Sequence, residues 1–303
     1  MGAALLTVRD FEVRYNGVGG VGPVDVVVFD NEILGVVGES GSGKTTLGMG
    51  ILGNLPAPAE ILRGSIMFAG KELVGASDEA WREIRWRKLA YVPQGAMNVL
   101  NPVARVGSQF GDIVRDHIGE NLQGKWLDRV EAALDAVRLP PSILSKYPHE
   151  LSGGMKQRVC IAMAILFHPK LIVADESTSA LDVVSQRVVL QTLMRVRSEF
   201  QTSIILIGHD IALQAQVADR IGIMFAGHFV EVGSVNEIFE DPRHPYTRRL
   251  IAAVPSIRVR QGIPDIALPT EAERLSWRNE KVPLAEVSLG HFVRPLGDTA
   301  VAA

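Results

Sequence analysis

The fold of this chain is decided by one stretch, Gly38-Glu39-Ser40-Gly41-Ser42-Gly43-Lys44-Thr45-Thr46. It fits the pattern G-x-x-x-x-G-K-[ST], in which the backbone N–H groups of a glycine-rich loop cradle nucleotide phosphates. The glycines allow backbone conformations that a side chain would forbid. Lys44 can reach the β- and γ-phosphates, and the Thr45 hydroxyl can bind Mg²⁺. The stretch therefore predicts a nucleotide site that also holds a magnesium ion.

The segments on both sides of this phosphate loop support the prediction. The run before it, Ile33–Val37, is short and apolar, as a buried strand is. The run after it, Thr46–Leu52, indicates a helix whose N-terminal dipole adds to the anion site. The alternative is an ordinary glycine-rich turn that happens to contain a lysine. A strand before the loop and a helix after it argue against that alternative.

Composition and charge exclude several classes of protein. Of the 303 residues 47% are hydrophobic and 21% charged, so the chain can bury a substantial core and is not of the disordered class. A net charge of −3 argues against a nucleic-acid binder that neutralises phosphates broadly. Cys160 is the only cysteine, which excludes an intrachain disulfide and Cys-ligated zinc or iron–sulfur sites. This cysteine usage fits a reducing compartment.

The sequence gives no sign of a membrane-spanning segment. No apolar run approaches the roughly 18–20 residues that are needed to cross a bilayer. Met1–Val8 lacks the charged and apolar regions of a secretory signal. We therefore expect a cytosolic chain, with any membrane association provided by a partner.

Alternating strand and helix patterns predict an α/β fold with parallel strands and crossovers. Near the N-terminus, strands at Leu5–Tyr15, Val24–Phe29 and Gly64–Gly70 predict an antiparallel β-subdomain, with Asn16–Gly22 as a turn. Helical patterning between the later motifs predicts a helical subdomain inserted at about residues 95–165. Helices are predicted at Asp78–Leu89, Gly107–His117, Lys125–Val137, Gln157–Phe167, Val183–Ser198 and Ile211–Asp219.

The chain changes character near Asp241, where prolines begin to break it into short pieces. We predict a nucleotide-binding domain over residues 1–240 and a partly ordered C-terminal extension over residues 241–303. Residues 297–303 are expected to be loose.

Acidic residues after a later apolar run complete the predicted site. The run Leu171–Ala174 predicts a buried strand, and Asp175 follows it directly, as in the strand whose carboxylate holds Mg²⁺ in phosphate-loop ATPases. Glu176 is then placed to polarise water opposite the γ-phosphate. An apolar run that ends in two acids is common on its own, and its position downstream of a phosphate loop is what makes it specific.

A second glycine-containing turn, Leu151-Ser152-Gly153-Gly154-Met155-Lys156-Gln157-Arg158, opens a helix and predicts another anion-binding helix N-terminus. It has no lysine in the place of Lys44. One chain needs one phosphate loop, so this turn makes sense if it contacts nucleotide held by another subunit.

With these motifs, the chain resembles the nucleotide-binding subunits of ABC transporters over about residues 5–240. The motifs follow the family order: Walker A at Gly38–Thr46, the Q-loop at Gln94, the signature at Leu151–Met155, Walker B ending in Asp175-Glu176, the D-loop at Ser179–Asp182 and the switch histidine at His209.

The resemblance implies a role for each matching residue. Tyr15 would stack on adenine, although a strand aromatic packing in the core is the alternative. Gln94 would contact Mg²⁺ or the attacking water, Glu176 would be the general base, and His209 would contact the γ-phosphate. Ser152, Gly153 and Gly154 would close over ATP bound to the opposite subunit, with Asp182 lining the seam between subunits.

Three positions depart from the family pattern: Met155 replaces glutamine, Ser177 replaces proline, and Gly208 replaces threonine or serine. None of them removes a catalytic group. We expect these replacements to tune the rate of hydrolysis rather than to abolish it.

Two further stretches resemble the oligopeptide and dipeptide importers within this family. These are the Q-loop region Tyr91–Pro102 and the beginning of the extension, Asp241–Leu250. That branch includes importers of peptides, nickel chelates and some oligosaccharides, so the solute does not follow from the resemblance. Some of its members carry an iron–sulfur cluster on C-terminal cysteines, which this chain lacks.

The resemblance also implies partners and a location. The chain would pair with a second nucleotide-binding subunit, identical or paralogous, with a heterodimer expected. Two permease subunits would dock near Gln94, an extracellular solute-binding protein would act indirectly, and no nucleic acid would be involved. The location would be peripheral, on the cytoplasmic face of the membrane. The alternative is an ATPase of a soluble assembly such as carbon–phosphorus lyase, and the extension from Asp241 favours the importer.

Overall fold

The computed structural model describes residues 2–95, 99–118, 125–254, 270, 274, 275, 277 and 282–295. Four predictions fall partly or wholly outside the described residues. They are the Q-loop region at residues 96–98, the helical subdomain at residues 96–98 and 119–124, the C-terminal extension over most of residues 255–281 and at 296–303, and the loose end expected at residues 297–303.

The nucleotide core is built on one mixed sheet, as the alternating pattern predicts. Its described strands are β3 (Ile33–Val37), β6 (Leu89–Val92), β7 (Leu171–Asp175), β8 (Ser203–Gly208), β9 (Arg220–Phe225), β10 (His228–Ser234), β11 (Ala285–Ser288) and β12 (His291–Val293). They lie in the order β11-β12-β10-β9-β3-β8-β7-β6. The strands β9, β3, β8, β7 and β6 are parallel. Every residue of β3 and β7 is buried, because layers of other elements cover both faces of a parallel sheet.

Helices connect the parallel strands and cover the sheet. They are α1 (Lys44–Ile51), α2 (Asp78–Ile84), α5 (Gly153–Ile165), α6 (Val183–Phe200) and α7 (Ile211–Gln214). Two of them are shorter than the sequence pattern predicts. The helix expected to reach Leu89 ends at Ile84, because the chain turns there and Trp86 adopts a left-handed conformation with φ 64°. The helix expected to reach Asp219 ends at Gln214.

The predicted antiparallel β-subdomain is confirmed. Its strands are β1 (Ala4–Tyr15), β2 (Val18–Phe29), β4 (Ala59–Phe68) and β5 (Lys71–Glu72), in the order β2-β1-β4-β5. The prediction of a turn over Asn16–Gly22 was wrong beyond Gly17, because β2 begins at Val18. The glycines of this segment allow β2 to pair closely with β1. A Cβ atom at Gly20 would lie 2.0 Å from the Val13 carbonyl oxygen, so only glycine allows β1 to approach so closely at this bulge.

The predicted helical layer is also present. It contains α3 (Val106–Ile118), α4 (Lys125–Ala136), two short 3₁₀ turns (Pro141–Ser145 and Pro148–Glu150) and α5. Fully buried side chains of these elements share one core with the outer face of the sheet. They include Phe110, Val130, Leu134, Ile143 and Val159. The limits of this subdomain at residues 95 and 165 remain a prediction.

The region after residue 240 is tied to the core sheet. Two short helices, α8 (Val235–Glu240) and α9 (Pro245–Ala252), are followed by β11 and β12. Strand β12 pairs with β10, with Glu231 opposite Val293. The sequence analysis missed both strands because they contain only 4 and 3 residues and carry no clear alternation. The division between domains at residues 240 and 241 remains a prediction. In the part of the chain that the structure describes, no helix has both the length and the apolar character to span a bilayer.

Candidate functional site

The sheet order brings four predicted motifs to one edge. The phosphate loop follows β3, His209 follows β8, Asp175 ends β7, and Gln94 lies just after β6. These strands are neighbours in the order β3-β8-β7-β6 and run parallel, so their carboxyl ends meet at the same edge. Ligands of open α/β sheets bind outside this edge. The topology therefore places residues that are far apart in sequence around one site.

The phosphate loop has the backbone that its glycines permit. Gly41 and Gly43 have φ values of 78° and 101°, in the left-handed region that favours glycine. At Gly38 a Cβ atom would lie 2.1 Å from the Met224 carbonyl oxygen, so the loop sits directly against the end of β9. Helix α1 begins at Lys44 and directs its N-terminus toward the loop. This is the cradle that an anionic phosphate fits.

The Lys44 ammonium lies inside this loop. Its Nζ donates to the carbonyl oxygens of Gly38 and Glu39, each at 2.8 Å. The side chain is buried, and burial lowers the pKa of Lys44, while the negative charges of Glu176, Asp175 and Glu39 act in the opposite direction. Water therefore solvates the Lys44 ammonium poorly. A phosphate anion would bind this ammonium more strongly than the two neutral carbonyl groups do.

The predicted magnesium ligands lie side by side. Thr45 Oγ1 donates a hydrogen bond of 3.2 Å to Asp175 Oδ1, which joins the end of β7 to the first turn of α1. Asp175 is 1% exposed. Burial raises its pKa, and the Glu176 charge adds to the rise, while Thr45 and Lys44 oppose it. A buried carboxylate beside a hydroxyl is a hard-oxygen donor set, so these residues fit Mg²⁺.

Tyr91 is a residue of this site that the sequence analysis did not assign a role. Its side chain on β6 lies near Asp175, and burial together with the Asp175 charge raises the pKa of Tyr91 to about 12. The register explains the contact: Tyr91 lies opposite Val173, so it shares a face with Asp175 two residues further along β7. Period-two alternation would have found it only if the pairing of these strands had been known.

Glu176 is held in an unusual backbone conformation. Its φ is 41°, in the left-handed region that a glutamate rarely adopts, and its N–H donates to the Ile207 carbonyl oxygen at 2.9 Å. Glu176 Oε2 accepts from Gln94 Nε2 at 2.6 Å, and Oε1 lies 3.9 Å from His209 Nδ1. Backbone strain of this kind persists where the surroundings fix a functional side chain. Three of the predicted catalytic residues therefore meet around one carboxylate.

Packing explains why a glycine, Gly208, precedes His209. A Cβ atom at Gly208 would lie 2.7 Å from Gln214 Nε2, and one at Gly35 would lie 2.5 Å from Gln214 Oε1. The Gln214 side chain thus occupies the space between these two strands. It is buried, and its amide atoms have no hydrogen-bond partner among the residues that the structure describes. Gly208 replaces a larger family residue because Gln214 fills its place.

The signature and D-loop residues form one surface at the starts of two helices. The Ser152 hydroxyl caps α5 by accepting from Met155 N, and the Asp182 carboxylate caps α6 by accepting from Val184 N and Ser185 N. A Cβ atom at Gly154 would lie 3.2 Å from Ser185 Oγ, so the two helix starts are in contact. Within the described part of the chain, this surface shares no hydrogen bond with the phosphate loop. The predicted contact of Ser152, Gly153, Gly154 and Asp182 with nucleotide held by another subunit stays a prediction.

Tyr15 lies beside the start of α1. Its hydroxyl is 3.1 Å from Thr46 Oγ1, at the end of the phosphate loop. The ring is half-buried. Stacking of Tyr15 on adenine stays a prediction.

Residues after position 240 also reach the phosphate loop, which the sequence analysis did not predict. The Tyr246 hydroxyl accepts from Glu39 N at 3.3 Å. Arg274 Nη2 lies 2.7 Å from Glu39 Oε2. No motif signals these contacts, since they join residues more than two hundred positions apart.

Comparisons with known proteins agree with this geometry. A family model described as ABC transporter matches residues 21–179, and one described as oligopeptide/dipeptide transporter, C-terminal region, matches residues 230–276. The chain is 35% identical to the oligopeptide transport ATP-binding protein OppD of Bacillus subtilis (strain 168), covering 96% of this chain and 88% of that protein.

Two further proteins are similar over most of their length. The dipeptide transport ATP-binding protein DppD of Caldanaerobacter subterraneus subsp. tengcongensis is 38% identical, covering 77% of this chain and 72% of that protein. A solved structure described as the ATP binding subunit of an ABC transporter superposes with a TM-score of 0.64 at 26% identity. That superposition covers 78% of this chain and 92% of the other.

Proposed function

Since this chain belongs to the ABC transporter family of ATPases, we propose that its ATP hydrolysis energises the import of peptides through a membrane permease. The main support for ATP hydrolysis is that five predicted site residues come together at the ends of four neighbouring strands. They are Lys44, Asp175, Glu176, His209 and Gln94.

Binding and orientation of ATP are assigned to the phosphate loop. Its N–H groups and the N-terminus of α1 would surround the β- and γ-phosphates, and Lys44 would exchange its carbonyl contacts for phosphate oxygens. Thr45, Asp175 and Gln94 would hold Mg²⁺, which when bound neutralises charge on the phosphate oxygens. Tyr15, next to Thr46, is placed to contact the adenine ring.

Glu176 is the residue that we assign as general base. It directly follows the buried strand β7, and its two carboxylate oxygens face Gln94 and His209. In this position it would accept a proton from a water molecule aligned with the γ-phosphate, with Gln94 orienting Glu176 and His209 approaching the phosphate. Catalysis of this type depends on positioning and charge stabilisation.

A second nucleotide-binding subunit would complete the site. The caps of α5 and α6 place Ser152, Gly153, Gly154 and Asp182 at two helix starts that are in contact with each other. Paired head to tail, two subunits would each offer this surface to the ATP of the other and enclose two ATP molecules. A paralogous partner is proposed, because peptide importers often pair two different subunits.

Membrane association would come through permease subunits that dock beside Gln94. The described part of the loop that follows exposes apolar side chains, with Val99 at 54% and Val103 at 83% of their surface accessible. Docking there would place the chain peripherally at the cytoplasmic face, where hydrolysis at Glu176 can be sensed through Gln94. An extracellular solute-binding protein would act only through the permease.

Peptides are proposed as the solute because of the C-terminal region. Its match to the oligopeptide/dipeptide transporter model and the printed names of the relatives support this choice. The soluble carbon–phosphorus lyase alternative is not favoured, since such an ATPase is expected to end soon after the nucleotide core.

The test combines turnover with partner capture. Glu176→Gln should lose ATP turnover, whereas Glu131→Gln on the exposed side of α4 should behave as wild type. Dimerisation of Glu176→Gln alone in ATP, followed by light scattering, would show that the chain pairs with itself and not with a paralogue. Unchanged turnover in Glu176→Gln would contradict the assignment of the base.

Affinity capture from membranes should bring down polytopic proteins, and their absence would contradict the transport role. If wild type turns over only after a paralogue is added, the heterodimer is supported.

A further inference from the structure

The phosphate loop is held from outside by residues of the C-terminal region. We propose that Tyr246 and Arg274 are positioning residues for nucleotide binding, which fix Glu39 and thereby keep the loop in the shape that accepts phosphate. This inference rests on the proposed nucleotide site. It gives the C-terminal region a direct part in the affinity for ATP.

Both ends of Glu39 are engaged. Its backbone N–H donates to the Tyr246 hydroxyl at 3.3 Å. Arg274 Nη2 lies 2.7 Å from Glu39 Oε2. One loop residue thus has a backbone contact with one side chain and an ion pair with another, and both partners come more than two hundred positions later in the chain.

Tyr246 is itself rigidly placed. It is 3% exposed, and its ring packs against Phe225 at a centroid distance of 4.4 Å. Trp277 packs edge-on against Phe225 at a centroid distance of 5.0 Å, and the His244 ring lies 5.1 Å from Trp277. A buried aromatic group with few rotatable bonds loses little entropy when it makes a contact. This aromatic cluster therefore provides a fixed support next to the loop.

Glu39 is linked directly to the lysine that contacts phosphate. Its carbonyl oxygen, with that of Gly38, accepts from Lys44 Nζ at 2.8 Å. A shift of Glu39 would move this carbonyl group and the N–H groups that follow it in the loop. Holding the loop in place before the ligand arrives reduces the ordering cost of binding. A loop held in place in advance strengthens the binding of ATP and of the transition state for its hydrolysis equally. Loss of this support therefore raises KM and leaves kcat unchanged.

The experiment uses the full chain and its Tyr246→Phe, Arg274→Gln, Arg274→Lys and Glu39→Ala variants. Calorimetric titration with ATP and with ADP, each with and without Mg²⁺, measures affinity apart from activity. Steady-state turnover separates KM from kcat, and thermal unfolding reports any loss of folding. Arg243→Gln is the matched control, because Arg243 lies in the same region and its exposed side chain forms an ion pair with Asp241.

Tyr246→Phe and Arg274→Gln should each weaken ATP and ADP binding about threefold to tenfold, the scale of one lost hydrogen bond. KM should rise by the same factor while kcat stays within about twofold. Arg274→Lys should recover part of the affinity, and Arg243→Gln should match wild type. In a Glu39→Ala background, Arg274→Gln should have no further effect, because its partner is gone.

Other results would overturn the proposal. Unchanged or tighter binding in both single variants would show that these contacts do not support the loop. If Arg274→Gln weakened nucleotide binding further in the Glu39→Ala background, Arg274 would not act through Glu39. If the single variants only lowered the Tm, the role of both residues would be structural alone. If wild type bound no nucleotide, the nucleotide function itself would fail and this inference with it. That result is distinguishable from the others, because they all require binding by wild type.

Discussion

The Gln94 amide and the Glu176 carboxylate are joined by a hydrogen bond of 2.6 Å between Nε2 and Oε2. The two residues follow β6 and β7, which are paired in parallel, so the sheet itself sets this distance. Gln94, which we propose lies beside the permease, is thereby linked to the residue that we assign as general base.

Gln94→Ala should lower kcat for ATP about tenfold or more, while the affinity for ATP changes little. The physical reason is that Glu176 loses the donor that orients it, which is a hydrogen bond to a charged group. Steady-state kinetics together with calorimetric titration measure the two effects. Gln216→Ala, an exposed amide on the far side of the α7 turn, is the control. A rise in KM with kcat preserved would contradict the orienting role.

Asp175→Asn should raise the Tm of the nucleotide-free protein and abolish most turnover. Burial raises the pKa of Asp175, so the folded state holds its proton to higher pH than the unfolded chain. Wild type therefore loses stability as pH rises through this raised pKa, and the neutral Asn variant does not. Turnover should fall on the order of a hundredfold, as for loss of one preorganised charged group.

The measurement is thermal unfolding from pH 4 to pH 8 in EDTA, with turnover measured separately in Mg²⁺. Asp128→Asn in the first turn of α4 serves as the control for losing a carboxylate. If wild type and Asp175→Asn differ by a constant amount across this range, then Asp175 does not titrate as the structure indicates.

His244 should make the protein acid-sensitive. Burial lowers the pKa of His244 to about 3, with the charges of Arg294, Arg248 and Arg249 adding to the effect. The unfolded chain takes up this proton below the ordinary pKa of 6.5, whereas the folded state stays neutral until about pH 3. Stability is therefore full above pH 6.5 and falls with decreasing pH, by about 2 kcal/mol at pH 5.

His244→Asn should flatten this dependence. Asn can still cap α9, where the His244 ring nitrogen Nδ1 accepts from Tyr246 N at 3.2 Å. Chemical denaturation at pH 7.5 and pH 5 gives the change in the free energy of unfolding for each protein. An equal loss in wild type and in His244→Asn would show that other groups cause the acid sensitivity.

Gln214→Met should stabilise the protein by about 1 kcal/mol. The Gln214 amide is buried between Gly35 and Gly208 without a hydrogen-bond partner among the described residues, and methionine fills a similar volume without polar atoms. Urea denaturation beside Gln216→Met, which changes an exposed amide, measures the difference. A loss of stability instead would indicate that an internal water molecule satisfies this amide.

Much of the fold and of the site followed from short-range patterns. The loop Gly38–Thr46 requires its glycines, its lysine and the flanking strand and helix, so its local structure is contained in its sequence. The strands β3 and β7 can also be predicted from their sequences, because strands that are covered on both faces are continuously apolar. The motifs singled out Gln94, Glu176 and His209, and the structure brings these three residues together at the ends of neighbouring strands. Their catalytic roles stay a prediction.

The sequence by itself determined the chemistry that can occur, since phosphate binding, metal ligation and proton transfer each need particular residue types at particular spacings. The tertiary structure alone decided which distant residues support that chemistry. Tyr91 reaches Asp175 through strand register, Gln214 fills the space beside Gly208, and Tyr246 holds Glu39. These contacts join segments that are remote in the chain, and no local pattern encodes them. They arise because close packing of the sheet and its covering layers places specific side chains against one another.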